Sequence, residues 1–221
     1  QKTKVALLQL DLTDAFCRIS HESIVGQMMA TGVPHAITRA VTSWLRGRTA
    51  RVFLSGYSRS FVTPTGVPQG SALGPALFAL AADAALRTLQ GAAQSVCASG
   101  LHHGRRVEII RAHVTAYADD VTVLIAGADI DALVRSAKTL LKTAEEAFMA
   151  LGMPLSPKTA ATLISLSRKQ VRRGVHWPIG TVAGQPIVLA AKSTRVLGLT
   201  IDPMLNLSEH AAGVANACAA E

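Results

Sequence analysis

The chain has 221 residues, about half of them apolar, and a formal net charge of +8 with a sequence pI of about 9.9. This is enough material for one large domain with a packed core. Few of its residues are charged and most of those are basic, which favours a polyanionic partner, nucleic acid before an anionic membrane. Three scattered cysteines, Cys17, Cys97 and Cys218, form no zinc-binding spacing and indicate a reduced, intracellular setting.

Neither a membrane span nor a secretion signal is predicted. The longest apolar stretch, 72–89, is interrupted by Gly74, Pro75 and Asp83. The chain begins without methionine, reaches a strand pattern almost at once, and ends inside a helix pattern. We therefore expect a fragment of a longer protein.

The first predicted element is a buried strand, the apolar run from Val5 to Leu10. Asp11 follows at its end. A carboxylate that leaves a buried strand is poorly solvated unless it meets a cation. The alternative is a helix cap, because Asp and Thr often precede a helix.

A basic turn follows the next two helices. The helices and the strand after them are predicted at 21–30, 35–45 and 51–55. Arg46, Arg48 and Arg51 crowd the turn, and aromatic residues flank it. This combination suits a nucleic-acid backbone, and a solvated cationic loop is the alternative.

A loop rich in glycine and proline, 65–75, precedes a helix predicted at 75–89. Closely spaced Gly and Pro build a rigid loop in which backbone can approach a ligand closely. Gln69 is its long polar side chain and can both donate and accept hydrogen bonds. A plain connector is the alternative.

Two adjacent carboxylates, Asp119 and Asp120, lie between two runs rich in β-branched residues in the stretch 115–125. Such runs favour strands, so we predict a hairpin with the Asp pair at its tight turn. Adjacent like charges repel, and a divalent cation would neutralise them. A solvated turn in an ordinary hairpin is the alternative.

The last part of the sequence is predicted to hold one long helix and two strands. The amphipathic helix covers 131–151, and a turn then carries Lys158 into a strand at about 162–166. The densest basic cluster follows at 168–173. The stretch 195–202 is predicted to be one strand that contains a glycine.

Five motifs in this order resemble the palm of a reverse transcriptase. They are 11–16 (DLTDAF), 68–70 (PQG), 117–120 (YADD), 152–159 (GMPLSPKT) and 197–202 (LGLTID). The residues in and around the second and the last motif are similar to those of non-LTR retrotransposon enzymes. One such motif is weak, whereas five in order across nearly the whole chain are specific.

The resemblance implies an α+β polymerase palm, with an antiparallel sheet that is backed by the helices 75–89 and 131–151. Residues 1–202 would form the palm, with partial fingers at about 21–65. Residues 203–221 would begin a thumb or connection. The family has a cationic fingers segment upstream of the first motif, and we expect this chain to be a fragment that lacks it.

The activity implied is RNA-directed DNA synthesis, in which dNTPs extend a DNA primer on an RNA template of a non-LTR retroelement. The resemblance gives Asp11, Asp119 and Asp120 as catalytic ligands of two Mg²⁺ ions, or of Mn²⁺, with Asp11 and Asp119 as the bridging pair and Asp120 as the second member of the family's Asp-Asp motif. Lys158 matches the lysine that protonates or neutralises the leaving pyrophosphate. Action in the nucleus is implied as well, without a membrane partner.

Other motif positions are implied to bind the nucleotide and the primer. The backbone amides that would face the triphosphate are those of Leu12, Thr13, Asp14, Ala15 and Phe16. The ring of Phe16 would crowd the 2′ position of the sugar and reject ribonucleotides by a clash. Gln69 and Gly70 would lie beside the nascent base pair. Tyr117 would pack near the primer end, and the three arginines of the basic turn would contact primer–template.

Two other functions stay open. An RNA-dependent RNA polymerase resembles this palm, but usually has a polar residue in place of Phe16 and glycine in place of Ala118. A catalytically incomplete or vestigial fragment would only bind nucleic acid. Ser156 stands where the family often has asparagine, which bears on the role of Lys158.

Overall fold

The computed structural model describes residues 3–97, 101–102, 105–106, 110–165 and 176–219 as mixed α/β structure. The helices are α1 Ala15–Arg18, α2 His21–Ala30, α3 His35–Leu45, α4 Gly74–Val96, α5 Ile130–Ala150 and α6 Ser208–Ala219. The strands are β1 Lys4–Leu10, β2 Thr49–Leu54, β3 Tyr57–Val62, β4 Leu101–His102, β5 Arg105–Arg106, β6 Arg111–Tyr117, β7 Asp120–Gly127, β8 Ala160–Ser165, β9 His176–Val182, β10 Gln185–Ala190, β11 Thr194–Val196 and β12 Leu199–Ile201. Within these ranges no helix is long and apolar enough to cross a membrane.

The main sheet has six strands in the order β6-β7-β1-β8-β10-β9. Its neighbouring strands are antiparallel, apart from β8 and β10, which run parallel. The prediction of an antiparallel sheet is therefore confirmed for all but one pair. The hairpins β2–β3, β4–β5 and β11–β12 are separate two-stranded sheets.

One face of the main sheet packs against helices. Along β7, Val121, Val123 and Ile125 are buried, whereas the residues between them are more accessible. Such alternation is expected where one face of a sheet meets the core and the other does not. Helix α5 lies against β1, β7 and β9, and α4 lies against α5 and β6. The two helices predicted to back the sheet therefore do so, and these two helices leave its opposite face uncovered.

Local sequence signals explain where the helices begin and end. Asp129 caps α5, because its side chain accepts hydrogen bonds from the amides of Asp131 (3.1 Å) and Ala132 (3.3 Å). Gly152, with φ +79°, ends it. Helix α4 is longer than the predicted 75–89, since the buried stripe continues at four-residue spacing to Ala93.

The prediction of a single strand at 195–202 is wrong. The segment forms the hairpin β11–β12, in which Val196 pairs with Leu199 around a two-residue turn. Leu197 (φ +46°) and Gly198 (φ +87°) both take positive φ, the backbone that a tight hairpin turn requires. The lone glycine inside an apolar run is compatible with a bulge or a turn, and only the structure separates them. The basic cluster at 168–173 lies outside the described residues.

Candidate active site

The carboxylates of Asp11 and Asp120 meet at adjoining ends of the two central strands. Antiparallel β1 and β7 pair Gln9 with Thr122 and Leu10 with Val121. One residue further, the same register sets Asp11 opposite Asp120. Side chains alternate along a strand, so both carboxylates project from the sheet face that is opposite the buried Leu10 and Val121.

The predicted hairpin around the Asp pair is confirmed, with a small difference in register. Its turn consists of Ala118 (φ +53°) and Asp119, whereas Asp120 already belongs to β7 and pairs with Tyr117. Tyr117 is 71 % exposed. The turn therefore presents Asp119 and the Tyr117 ring to solvent beside Asp120.

Three carboxylates share one electrostatic environment at this end of the sheet. Partial burial raises the pKa of Asp120 above its ordinary value, and the negative charges of Asp119 and Asp11 raise it further. A nearby negative charge disfavours the ionised form of a carboxyl group. A cation at this point would relieve the repulsion, and carboxylate oxygens are the donors that Mg²⁺ prefers.

The donor chemistry therefore fits a divalent cation, although the side chains do not form a closed cage. In the part of the chain that the structure describes, no three His, Cys, Asp or Glu side chains converge closely enough to hold a metal ion. Mg²⁺ is usually bound by one or two carboxylates together with water and substrate phosphates. An open pair of carboxylates is compatible with that mode.

A cleft of about 400 Å³ lies over the open face of the sheet. Asp11, Asp120 and Lys158 line it, as does Arg195 from the β11–β12 hairpin. Asp119 is outside the lining. The cleft thus joins two of the predicted metal ligands to the predicted cationic residue, and it adds a second cation that the sequence did not indicate.

Backbone hydrogen bonds hold the Lys158 loop against the segment that follows β1. The amide of Ser156 donates to Asp11 O (2.7 Å), and the amide of Thr13 donates to Pro154 O (3.0 Å). The buried Ser156 hydroxyl accepts from the amide of Lys158 at 3.1 Å. Serine at the position where the family often has asparagine therefore still orders the turn by a side-chain-to-backbone bond.

The segment predicted to face a triphosphate forms the start of a single helical turn. Leu12 and Ala15 bury their side chains, and the amide of Thr13 is already bonded to Pro154. Asp14 has left-handed backbone (φ +47°), and its side chain makes no capping bond to α1. Since α1 begins after Asp14, Asp11 is not the cap of this helix.

Phe16, in α1, is held against helix α4. Its ring stacks on that of Phe78, with centroids 4.4 Å apart and planes 20° apart. Its carbonyl accepts a hydrogen bond from the amide of Val67 at 2.7 Å. Phe78 is almost fully buried, so the stack fixes the orientation of the partly exposed Phe16 ring.

The glycine and proline loop docks on this same segment. The amide of Gly66 donates to Ile19 O (2.8 Å), and a Cβ on Gly66 would lie 2.4 Å from Cys17 O. Beyond this contact the loop turns outward, so that Gln69 and Gly70 are both exposed. The structure therefore leaves Gln69 accessible to a ligand.

The three arginines of the basic turn are not part of the cleft lining. Arg46 borders a surface groove between α2 and α3. Arg48 donates to Gly66 O at 3.3 Å and lies 5.3 Å from the Trp44 ring centroid. Arg51 donates to Ser60 Oγ at 3.3 Å on the exposed β2–β3 hairpin. The structure thus places them on a separate, cationic surface.

Sequence reasoning missed three residues around the cleft. Gln9 and Arg195 line it, and Thr194 lies beside Gln9. The position of Gln9, two residues before Asp11 on an otherwise apolar strand, was the available signal, because residues i and i+2 share a face. Nothing local pointed to Arg195.

Carboxylates from separate strand ends, with a lysine in the same cleft, are the kinds of side chain that metal-assisted phosphoryl transfer uses. The chain belongs to the reverse transcriptase (RNA-dependent DNA polymerase) family, whose model matches residues 1–201. Members of this family generally use divalent metal ions.

The chain is similar to a curated protein in sequence and to a solved structure in fold. It is 30% identical over 166 residues to the retrovirus-related Pol polyprotein from type-2 retrotransposable element R2DM of Drosophila melanogaster, a match that covers 72% of this chain and 15% of that protein. Its fold is similar to that of apo telomerase from Candida tropicalis, with a TM-score of 0.54 and 12% identity over 92% of this chain and 35% of the telomerase chain. The chain thus spans a small part of the curated relative.

Proposed function

We propose that this chain is the polymerase part of a non-LTR retroelement protein, in which it extends a DNA primer on an RNA template with dNTPs. The observation that carries the proposal is the shared cleft of Asp11, Asp120 and Lys158 at the open face of the sheet. Membership in the reverse transcriptase family and the likeness to a retrotransposon Pol polyprotein support the choice of template and product.

In this proposal, residues 1–202 form the palm, about 21–65 form part of the fingers, and 203–221 begin the thumb. The six-stranded sheet backed by α4 and α5 supports the first assignment. The separate position of α2, α3 and the β2–β3 hairpin supports the second, because these elements lie between the first two motifs and outside the main sheet. The reverse-transcribing parent protein would act in the nucleus, where its genomic target lies.

Asp11 and Asp120 would hold two Mg²⁺ ions together with Asp119, which lies next to Asp120 at the hairpin turn. When bound, such ions polarise the reacting phosphate and activate the primer hydroxyl. The repulsion that raises the pKa of Asp120 supports this role, because the bound cations would remove it. Lys158 lines the same cleft and would donate a proton or a positive charge to the leaving pyrophosphate.

Phe16 would set the choice of sugar, and the amides at the start of α1 would face the triphosphate. The stack on Phe78 supports the first role, since a ring fixed in one orientation rejects a 2′-hydroxyl more sharply than a mobile one. Exposed Gln69 and Gly70 would lie beside the nascent base pair. Tyr117, 71 % exposed at the hairpin, would pack near the primer end.

The cationic surface would contact the primer–template duplex. Between Glu22 and Asp83 the sequence has five arginines and no acidic residue. Arg46, Arg48 and Arg51 belong to this stretch, and a run of unopposed positive charge attracts a phosphate backbone. Loss of one such contact would weaken binding and lower its salt dependence without changing the chemistry of the cleft.

Primer extension tests the proposal. A DNA primer annealed to RNA is incubated with dNTPs or NTPs, with and without Mg²⁺, using the chain and its Asp119→Ala and Asp120→Asn variants. We expect Mg²⁺-dependent DNA synthesis that falls by about a hundredfold or more in both variants. Asp131→Asn, an exposed carboxylate at the start of α5, is the matched control and should retain activity.

Two results would favour the other functions. Extension with NTPs but not with dNTPs would indicate an RNA polymerase. Binding of an RNA–DNA hybrid without Mg²⁺-dependent extension would indicate that this chain is only the nucleic-acid-binding remnant of a polymerase.

A further inference from the structure

Gln9 connects the central strand of the sheet to the β11–β12 hairpin. Its side-chain amide donates to the carbonyl of Arg195, and its side-chain carbonyl accepts from the hydroxyl of Thr194. Both bonds span more than 180 residues of sequence. Because Gln9 uses a donor and an acceptor in one planar group, it fixes both the distance and the orientation of β11.

The position of Gln9 joins this contact to the candidate active site. Gln9 lies two residues before Asp11, so the two side chains leave β1 on the same face. Both line the cleft, and Val196, Leu197 and Gly198 of the hairpin line it as well. The hairpin is thus a wall of the cleft, and Gln9 bonds it directly to the strand that leads to Asp11, whereas Thr200 ties its other strand to His210 of α6.

The hairpin depends on such contacts because it is not part of the main sheet. Strands β11 and β12 form a two-stranded sheet of three residue pairs. A hairpin of that size is at best marginally stable by itself in water. Its tip is open to solvent, with Leu197 63 % exposed. An exposed apolar tip in a cleft that Lys158 and Arg195 also line suits a ligand that is polyanionic but carries apolar faces, as the end of a nucleic-acid strand does.

We infer that Gln9 is a positioning residue, which holds the β11–β12 hairpin at the distance from Asp11 and Asp120 that the primer end requires. The inference rests on the function proposed above. Gln9 touches neither the reacting atoms nor a metal ion in this role. It acts through the hairpin, so its loss should weaken binding of the primer more than the chemical step.

Hydrogen exchange tests the contact independently of activity. Gln9→Leu removes both bonds, and Thr194→Val removes one while leaving the shape of β11 unchanged. We expect amide exchange of the peptide 194–201 to become about tenfold faster in Gln9→Leu, with no change in the β6–β7 peptide. The matched controls are Gln185→Leu, exposed at the start of β10, and Thr139→Val, whose hydroxyl bonds within α5 to Arg135 O. Unchanged exchange of 194–201 in both test variants would overturn the inference.

Steady-state primer extension tests the consequence. In Gln9→Leu we expect the KM for primer–template to rise about tenfold, equivalent to ~1.4 kcal/mol. In Thr194→Val we expect a rise of about three- to fivefold, equivalent to ~0.7–1 kcal/mol. The KM for dNTP and kcat should stay within about twofold. An unchanged KM for primer–template, with an active unmodified chain, would overturn the inference. No extension by the unmodified chain would instead contradict the proposed function, and hydrogen exchange would then decide the role of Gln9.

Discussion

Asp11 and Asp120 lie opposite each other at adjoining strand ends, one residue beyond the Leu10–Val121 pair of β1 and β7. The register of this pair determines which face the carboxylates occupy. A slip by one residue would turn them toward the core and bring Leu10 or Val121 to the cleft. The burial of Leu10 and Val121 therefore fixes the geometry of the candidate site.

The charge of Asp120 should lower the stability of the metal-free chain. Its folded-state pKa is raised, so the folded chain binds a proton more tightly than the unfolded chain. Stability therefore falls as pH rises through the range from the unfolded-state pKa to the higher folded-state pKa. We expect Asp120→Asn to unfold at a higher temperature than the unmodified chain at pH 7 with a chelator, and the difference to shrink toward pH 4. Thermal unfolding at several pH values measures this, with Asp131→Asn as the control. A difference that did not depend on pH would contradict the electrostatic cause.

Divalent cations should reverse this effect. A cation that binds the folded chain alone raises its melting temperature by mass action. We expect Mg²⁺ or Mn²⁺ to stabilise the unmodified chain, and to do so less in Asp11→Asn and Asp120→Asn. Differential scanning fluorimetry across a titration with MgCl₂ or MnCl₂ measures the shift in melting temperature. NaCl of equal ionic strength is the control. An equal shift in all three chains would mean that the cation binds elsewhere.

Asp202 should stabilise the segment that leads into α6. It is buried, and although burial alone would raise its pKa, hydrogen bonds from the amides of Met204, Asn206 and Leu207 hold the pKa below its ordinary value. Its contribution is therefore present above the unfolded-state pKa and is lost as pH falls through the lower folded-state value. We expect Asp202→Asn to cost about 1–3 kcal/mol at pH 7 in urea unfolding, and less in acid. Glu209→Gln, exposed on α6, should cost close to nothing.

Gly66 should be irreplaceable where the glycine and proline loop docks. It combines a positive φ of +79° with a Cβ position 2.4 Å from the backbone of Cys17. We expect Gly66→Ala to cost about 1–3 kcal/mol from the backbone conformation alone, and more from the clash. Gly91→Ala is the matched control, because this helical glycine has nothing within 4 Å of its Cβ position and should gain about 0.5–1 kcal/mol. Chemical denaturation of both variants measures the contrast, and equal stability would contradict the docking contact.

Phe16 should determine sugar selectivity, and Phe78 should support it. We expect Phe16→Val to raise the use of NTPs relative to dNTPs by about tenfold or more, because the clash with a 2′-hydroxyl is removed. Phe78→Leu should raise it less, since the ring of Phe16 loses its stacking partner but stays in place. Competition between a dNTP and its NTP in primer extension measures the ratio. Phe148→Leu, buried in α5, is a core control for loss of packing.

The local elements of this protein could be predicted from its sequence alone. Apolar runs, β-branched residues and caps placed β1, the hairpin around Asp119, and the helices α2, α3 and α5. The ordered motifs pointed to the family and to Asp11, Asp119, Asp120 and Lys158 as one site, of which the structure places all but Asp119 in the cleft lining. These signals suffice because periodicity and turn chemistry act over a few residues.

The tertiary structure alone decided which distant residues share the cleft. The parallel pairing of β8 with β10, the turn at Leu197 and the contact of Gln9 with Arg195 join segments that no local pattern relates. The burial and hydrogen bonding of the Asp202 carboxylate could not be predicted either, because its partners are backbone amides that any sequence supplies. Such contacts follow from strand register and packing between distant segments, which depend on the whole chain. The acidic residues themselves can be read from the sequence, because each lies in a short local motif.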